Sequence, residues 1–297
     1  MPIRSEALAS AYATCQRDVR AHYENFPVAS VLLPRRMRPH VGAVYAFARA
    51  ADDFADEGSR SAAERHALLD RWLTRVRSAF VSDAPGRTPA PGEPANTVEI
   101  FLALGATIRA LELPLMPFED LLSAFRQDIT TTRYASWSEL LDYCRRSANP
   151  VGRLVLRIAG CSDPTLDVAS DALCTALQLT NFWQDVRSDF ERGRIYLPHE
   201  LLAKYELNEN DLRRDTMSAD WKRAIAEALI KTQHFYREGR AICDGVSGLQ
   251  YHLRATWLGG RRILDKIANA DFDVLARRPT LGMRDLPWFA WHLVSWR

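Results

Sequence analysis

The sequence predicts an all-α protein, and three observations carry that prediction. Apolar residues recur at helical spacing along most of the chain, and no run alternates for long enough to make a strand. Start and stop signals fall where that spacing begins and ends: Ser136 with Glu139 three residues on reads as a capping box, and Gly193 reads as a helix stop. The strong shift in composition, from Asp83 to Pro94, is too rich in proline for helix and lies between two apolar-periodic stretches. It reads as a surface loop, about 83–95, inside a single domain spanning residues 1–297.

Taken in order, the spacing predicts helices over roughly 4–24, 37–57, 61–81, 96–112, 117–130, 136–160, 165–192, 199–204, 208–213, 218–243 and 247–269. The first is mixed and polar rather than an apolar signal core, so secretion is not expected. The second runs through Val44-Tyr45-Ala46-Phe47-Ala48 and ends in a cluster of aspartates. The fourth opens at Asn96, with Glu99 three residues on, as a second capping box. The sixth carries Pro150, which should bend or interrupt it. The seventh runs through Leu177-Gln178-Leu179-Thr180-Asn181-Phe182-Trp183 into a second cluster of aspartates. A C-terminal tail, about 286–297, holds three tryptophans, too costly to leave in water. They either pack on the body or meet a lipid surface.

A hydrophobic content of 47% supports a large buried core. The net charge of +2, with basic residues scattered among acidic ones, gives no nucleic-acid footprint. Five cysteines without short paired spacing argue for reduced thiols. No window approaches the apolar length of a membrane span, so the chain is expected to be cytoplasmic, at most peripheral at the inner membrane. The seven histidines show no metal-ligand spacing, and neither a serine-nucleophile motif nor a phosphate-cradling glycine loop is present.

The chemistry lies in the two acidic clusters, Asp52-Asp53-Phe54-Ala55-Asp56 and Asp185-Val186-Arg187-Ser188-Asp189. On a helix, Asp52 with Asp56 and Asp185 with Asp189 lie one turn apart on one face, each a like-charge pair costing a few tenths of a kcal/mol unless a cation relieves it. Mg2+ prefers one or two protein carboxylates plus substrate phosphates. The same stripes carry Tyr45 and Arg49 upstream of Asp52, and Gln178 and Asn181 upstream of Asp185, polar groups amid interior-like sequence. Arg49 pairs with Asp52 or Asp53, or offers a fork of hydrogen bonds to phosphate, and both roles can hold in turn.

These residues carry a family resemblance. Asn25-Phe26-Pro27-Val28-Ala29-Ser30, Tyr45-Ala46-Phe47-Ala48-Arg49-Ala50-Ala51-Asp52-Asp53, and Leu177 to Asn181 running on through Asp185 and Asp189 to Gly193-Arg194-Ile195-Tyr196-Leu197-Pro198 resemble, in order and spacing, the head-to-head prenyl synthases, which include squalene and phytoene synthases. A weaker match covers Tyr134 and Ser138 to Tyr143. Relatives commonly have serine where this chain has Asn25, arginine where it has Gln184, and alanine-glycine where it has Asn149-Pro150. In those positions it resembles the hopanoid-pathway hydroxysqualene synthases.

The resemblance implies a single helical bundle of the class I isoprenoid synthase type with a central active-site cavity. It implies that Asp52, Asp56, Asp185 and Asp189, with Asn181, hold about two or three Mg2+ ions with diphosphate. Arg49, Gln178, Gln184, Arg194 and Tyr196 join the substrate site, and Asn25, Phe26, Tyr45 and Tyr134 line it. The implied reaction is ionisation of presqualene diphosphate and quenching of the rearranged cation by water, without a nicotinamide cofactor. Condensation of two farnesyl diphosphates to presqualene diphosphate and NADPH-dependent squalene formation stay open, as does a catalytically silent scaffold that binds isoprenoid diphosphates. Phe182 and Trp183 are read as core, and Asn25 and Gln184 either orient the quenching water or satisfy neighbouring backbone.

Overall fold

The computed structural model describes residues 2–21, 32–82 and 88–296, with side chains from residue 6 to residue 17 in the first helix. Asn25 and Phe26 lie outside the described residues. Among those described, the regular structure is entirely helical. By internal contacts the chain divides into two compact units, residues 1–130 with 150–162, and residues 131–149 with 163–297.

The first unit contains α1 (Pro2–Ala21), α2 (Arg38–Asp56), α3 (Ala62–Val81), α4 (Thr97–Leu111) and α5 (Met116–Asp128). α2 packs against the other four. Its apolar face, Val41, Val44, Phe47, Ala51 and Phe54, is buried. Phe47 stacks on Trp72, Phe54 and Phe101 meet Trp72 edge-on, and the Trp72 indole N–H donates to the Phe47 carbonyl at 3.1 Å. Between α1, α2 and α4 the Tyr12 hydroxyl and the His40 ring both reach the Thr107 hydroxyl, at 2.9 and 3.0 Å.

The expected surface loop is tied to the core at its end. The Glu93 carboxylate is fully buried, takes both arms of Arg75 at 2.7 and 2.9 Å, and accepts the Ala90 N–H. Asn96 sits at the start of α4 without a side-chain capping bond, so the second expected capping box is not formed. Ser61 with Glu64 forms a capping box at the start of α3, and at Ser136 the expected cap forms in half: its hydroxyl accepts from Glu139 N–H, while the Glu139 carboxylate accepts from Ala135 N–H.

The second unit contains α6 (Trp137–Ser147), α8 (Pro164–Gln184), α9 (Val186–Glu191), α10 (His199–Lys204), α11 (Ala219–Glu238), α12 (Ile242–Gly245), α13 (Gln250–Asn269) and α14 (Leu286–Val294). α8 is its axis, with α6, α11, α12 and α13 packed around it. Two glycines permit that closeness. A Cβ on Gly239 would stand 2.6 Å from the Leu173 backbone nitrogen, and one on Gly260 would overlap the Tyr236 hydroxyl. The buried polar groups of α8 are satisfied within the unit: the Trp183 indole donates to Thr232, and Thr180 shares a bond with Tyr236.

Three helix expectations change. The stretch expected over 136–160 divides at Ala148 into α6 and α7 (Asn149–Ile158), two residues before the proline predicted to break it. The stretch over 165–192 divides at Asp185, whose backbone (φ −106°, ψ 14°) ends α8 and begins α9. The expected helix over 218–243 ends as α11 at Glu238, followed by a 3-10 turn and α12.

The tail is a helix, α14, which the sequence reading did not assign, and it packs on α13. Trp296 stands edge-on to Trp257 at 5.4 Å with Arg240 and Arg254 over its ring, and Arg262 lies over Trp288. The anchor is Asp285, 2% exposed, which accepts from Lys266 at 2.6 Å, Arg262 at 2.9 Å and the Gly282 N–H at 2.8 Å. Burial raises its pKa, but these donors outweigh burial and bring it down to about 2. A carboxylate depressed in the folded state contributes stability that is complete above its unfolded value and is lost as pH falls through about 2. Asp285→Asn should therefore cost about 2 kcal/mol at neutral pH. In urea titrations the gap from wild type should close as pH is lowered from about 4 towards 2.

Candidate active site

Each unit presents one aspartate segment on a helix that is otherwise buried. On α2 the face Tyr45, Arg49, Asp52 and Asp53 is half-open between the buried Val44, Phe47, Ala51 and Phe54, and Asp56 at the helix end is exposed. The sequence dictates this, because the apolar residues recur every third or fourth place and leave one stripe for polar groups. The C-terminal carbonyls of α2 are held by Arg65, which donates to Phe54 O, Ala55 O and Gly58 O at 3.0, 2.6 and 2.8 Å. That fork satisfies helix-end acceptors beside the aspartates, and the sequence reading missed it.

Arg49 binds Asp53 at 2.7 Å and Glu57 at 3.0 Å, with Asp52 at 3.9 Å. Burial opposes its charge, but Asp53, Asp52 and Glu57 outweigh that and raise its pKa. These contacts are the carboxylate pairing open to Arg49 in the sequence, and a fork to phosphate can hold in turn with it.

On the second segment Gln178, Asn181, Asp185 and Asp189 are all half-buried. The break at Asp185 keeps its partner one turn away, because the Asp189 N–H donates to the Asp185 carbonyl at 2.8 Å. Arg278, 93 residues further on, ion-pairs with the Asp185 carboxylate. Gln184, 8% exposed, donates its amide to Pro279 O at 2.5 Å, and Arg187 donates to Leu275 O and Arg214 O. Residues 275–279 are thereby tied to the second aspartate segment. The amide N–H of Gln184 goes to backbone, one of the two roles the sequence leaves open to it.

After α9, Gly193 adopts φ +82°, and the Arg194 N–H returns to Asp189 O at 2.8 Å, closing the helix as a glycine stop does. The chain then runs beside 132–135: Ile195 N–H donates to Thr132 O and His199 N–H to Tyr134 O. Those bonds bring Tyr134 to Tyr196, ring centroids 5.8 Å apart and nearly parallel. Phe182 stacks directly on Tyr196 at 3.8 Å, and Tyr143 joins both tyrosines. A small cavity beside Asp189 and Arg194 is lined by Phe182, Trp183, Tyr196 and Trp221. Phe182, read from sequence as core, is buried and belongs to this aromatic cluster.

The donor set suits a magnesium ion that arrives with phosphate. Among the described residues no three His, Cys, Asp or Glu side chains form a ready-made cage, whereas each segment offers carboxylates one turn apart. That is the arrangement for a hard cation completing its shell with substrate oxygens and water.

The squalene/phytoene synthase family model matches residues 19–285. The chain belongs to this family. It is therefore a prenyl diphosphate-processing synthase. It is 30% identical over 290 residues to the 15-cis-phytoene synthase of Synechococcus elongatus, covering 92% of this chain and 90% of that one. It is 37% identical over 224 residues to the hydroxysqualene synthase of Zymomonas mobilis, covering 75% and 71%. A solved structure, squalene synthase HpnC from Alicyclobacillus acidocaldarius, is 39% identical, with a TM-score of 0.79 over 89% of this chain and 95% of that one. A dehydrosqualene synthase at 20% identity shares the fold, with a TM-score of 0.82. The isoprenoid-synthase fold inferred from motifs is the fold of these neighbours, and membership in the family removes the catalytically silent scaffold from consideration.

Proposed function

We propose that this family member is a hydroxysqualene synthase, taking presqualene diphosphate to hydroxysqualene and diphosphate with Mg2+. The observation that carries the branch is identity: 37% to the Zymomonas hydroxysqualene synthase against 30% to the Synechococcus phytoene synthase. The wording Asn181-Phe182-Trp183-Gln184-Asp185 supports it.

Asp52, Asp56, Asp185 and Asp189, with Asn181, hold Mg2+ with the diphosphate of the substrate. The bound ion supplies Lewis acidity that stabilises charge on the leaving oxygens. Arg194, on the turn that follows Asp189, donates to phosphate. Arg278 gives up Asp185 as the site loads, and Arg49 keeps Asp53 and Glu57 beside Asp52. The carbon–oxygen bond breaks with both electrons going to diphosphate, and the cyclopropylcarbinyl cation rearranges against rings that cannot trap it. Tyr134, Tyr143, Phe182 and Tyr196 form such a surface, and an aromatic face stabilises a desolvated cation by about 2 kcal/mol. Water then adds to the cation and loses a proton, which closes the reaction without a hydride donor. Tyr45 and Phe26 join the substrate site by the family resemblance alone, and Asn25 and Gln184 are the two amides put forward to orient that water.

The phytoene synthase relative, matched over more of the chain, favours a second reading, head-to-head condensation of two allylic diphosphates. Purified protein with Mg2+ should be given presqualene, farnesyl and geranylgeranyl diphosphates separately, with and without NADPH, and the extracts resolved by mass spectrometry. The first reading expects hydroxysqualene from presqualene diphosphate with no effect of NADPH. Turnover of geranylgeranyl diphosphate to phytoene, or squalene appearing only with NADPH, would contradict it.

A further inference from the structure

The C-terminal helix has two unlike faces. One is packed: Trp288 stacks on His292 and lies under Arg262, and Phe289 reaches the Gly259 position on α13. The other bears Met283, Leu286, Trp291 and Val294, which are 81, 54, 70 and 87% exposed, with Pro287 and Ala290 exposed between them. Positions 283, 286, 287, 290, 291 and 294 follow the spacing of a single helical stripe. From Leu286 to Ser295 the chain carries no Asp, Glu, Lys or Arg. An apolar stripe of this kind, kept in water while the same helix packs its other, half-buried face on α13, marks an interaction surface.

Charge says which partner fits. From Gln250 to the C-terminus eight Lys and Arg stand against four Asp and no Glu, a net +4 where the whole chain carries +2. Arg277, Arg278 and Arg284 are exposed in the segment leading to the stripe. An uncharged helix with an outward tryptophan and a basic approach is the composition that lies in the interface of an anionic bilayer. Among the described residues no helix is long and apolar enough to cross a membrane, so contact is with the surface.

We infer that α14 docks the protein on anionic lipid bilayers, its outer stripe entering the headgroup boundary and Arg277 and Arg284 meeting lipid phosphates. A lipidic substrate and product, which rests on the proposed function, gives such docking a use, since both partition into the bilayer. The docking itself needs no turnover. It is measured without substrate, so its failure and the failure of the catalytic reading are separate results.

The test uses the full chain and vesicles of phosphatidylcholine, with or without about 30% phosphatidylglycerol. Wild type should co-sediment with the anionic vesicles, weakly with the neutral ones, and less in about 0.5 M NaCl. The combined variant Leu286→Ser, Trp291→Ser, Val294→Ser alters only exposed positions, and it should lose at least about tenfold in vesicle affinity with an unchanged thermal melt. Brominated lipid should quench part of the wild-type tryptophan emission, and Trp291→Phe should remove that part, a reading that holds even if the triple variant folds poorly. Wild type that does not sediment, a well-folded triple variant that sediments like wild type, or quenching unaltered in Trp291→Phe overturns the inference. A vesicle-free shift from dimer to monomer in the triple variant, without change in sedimentation, would make the stripe a contact between copies and also overturn it.

Discussion

Asp52→Ala and Asp185→Ala should each lower turnover by at least about a thousandfold while helical circular dichroism and thermal stability stay near wild type. A thousandfold corresponds to about 4 kcal/mol of transition-state stabilisation, the scale expected when a charge-stabilising cation is lost from a departing diphosphate. Both side chains are half-exposed, so truncation leaves no cavity. Removing Asp185 frees Arg278 from its ion pair, and an exposed pair contributes at most about 1 kcal/mol to folding. Steady-state kinetics, with folding checked in the same samples, gives the result. EDTA should abolish wild-type activity, and magnesium should restore it. Activity that persists in EDTA would remove metal-assisted ionisation from the account.

The second large effect is on stability. Trp72→Ala should cost about 4 kcal/mol, because the ring is fully buried among Phe47, Phe54 and Phe101 and its N–H satisfies the Phe47 carbonyl. Trp72→Phe, which keeps ring packing but drops the N–H, should cost about half as much. The two variants, compared by urea denaturation, separate packing from hydrogen bonding on the helix that carries Asp52. Equal losses in the two would mean that the bond to Phe47 dominates.

The local features of the fold were legible because helical spacing is a local property. α2 and α8 announce themselves by apolar runs, and the polar stripe on each marks the residues that the structure leaves half-open. The stop at Gly193 was legible for the same reason, since a left-handed C-terminal residue has a strong preference for glycine. Features made by distant residues were not. Arg278 on Asp185, Gln184 on Pro279 and Arg65 on the end of α2 join positions with no shared periodicity. The break at Asp185 escaped because the flanking residues continue the apolar spacing and the turn-to-turn bond to Asp189 survives it. α14 was read as a tail because tryptophan and proline are indifferent signals for helix, and its stability comes from packing on α13 and from Asp285.

The measurement closest to the central claim is the origin of the product oxygen. Purified protein, Mg2+ and presqualene diphosphate in water enriched in oxygen-18, without NADPH, should yield hydroxysqualene whose hydroxyl carries the label at the enrichment of the solvent. A hydrocarbon product, or an alcohol with unlabelled oxygen, would contradict quenching of a free cation by water.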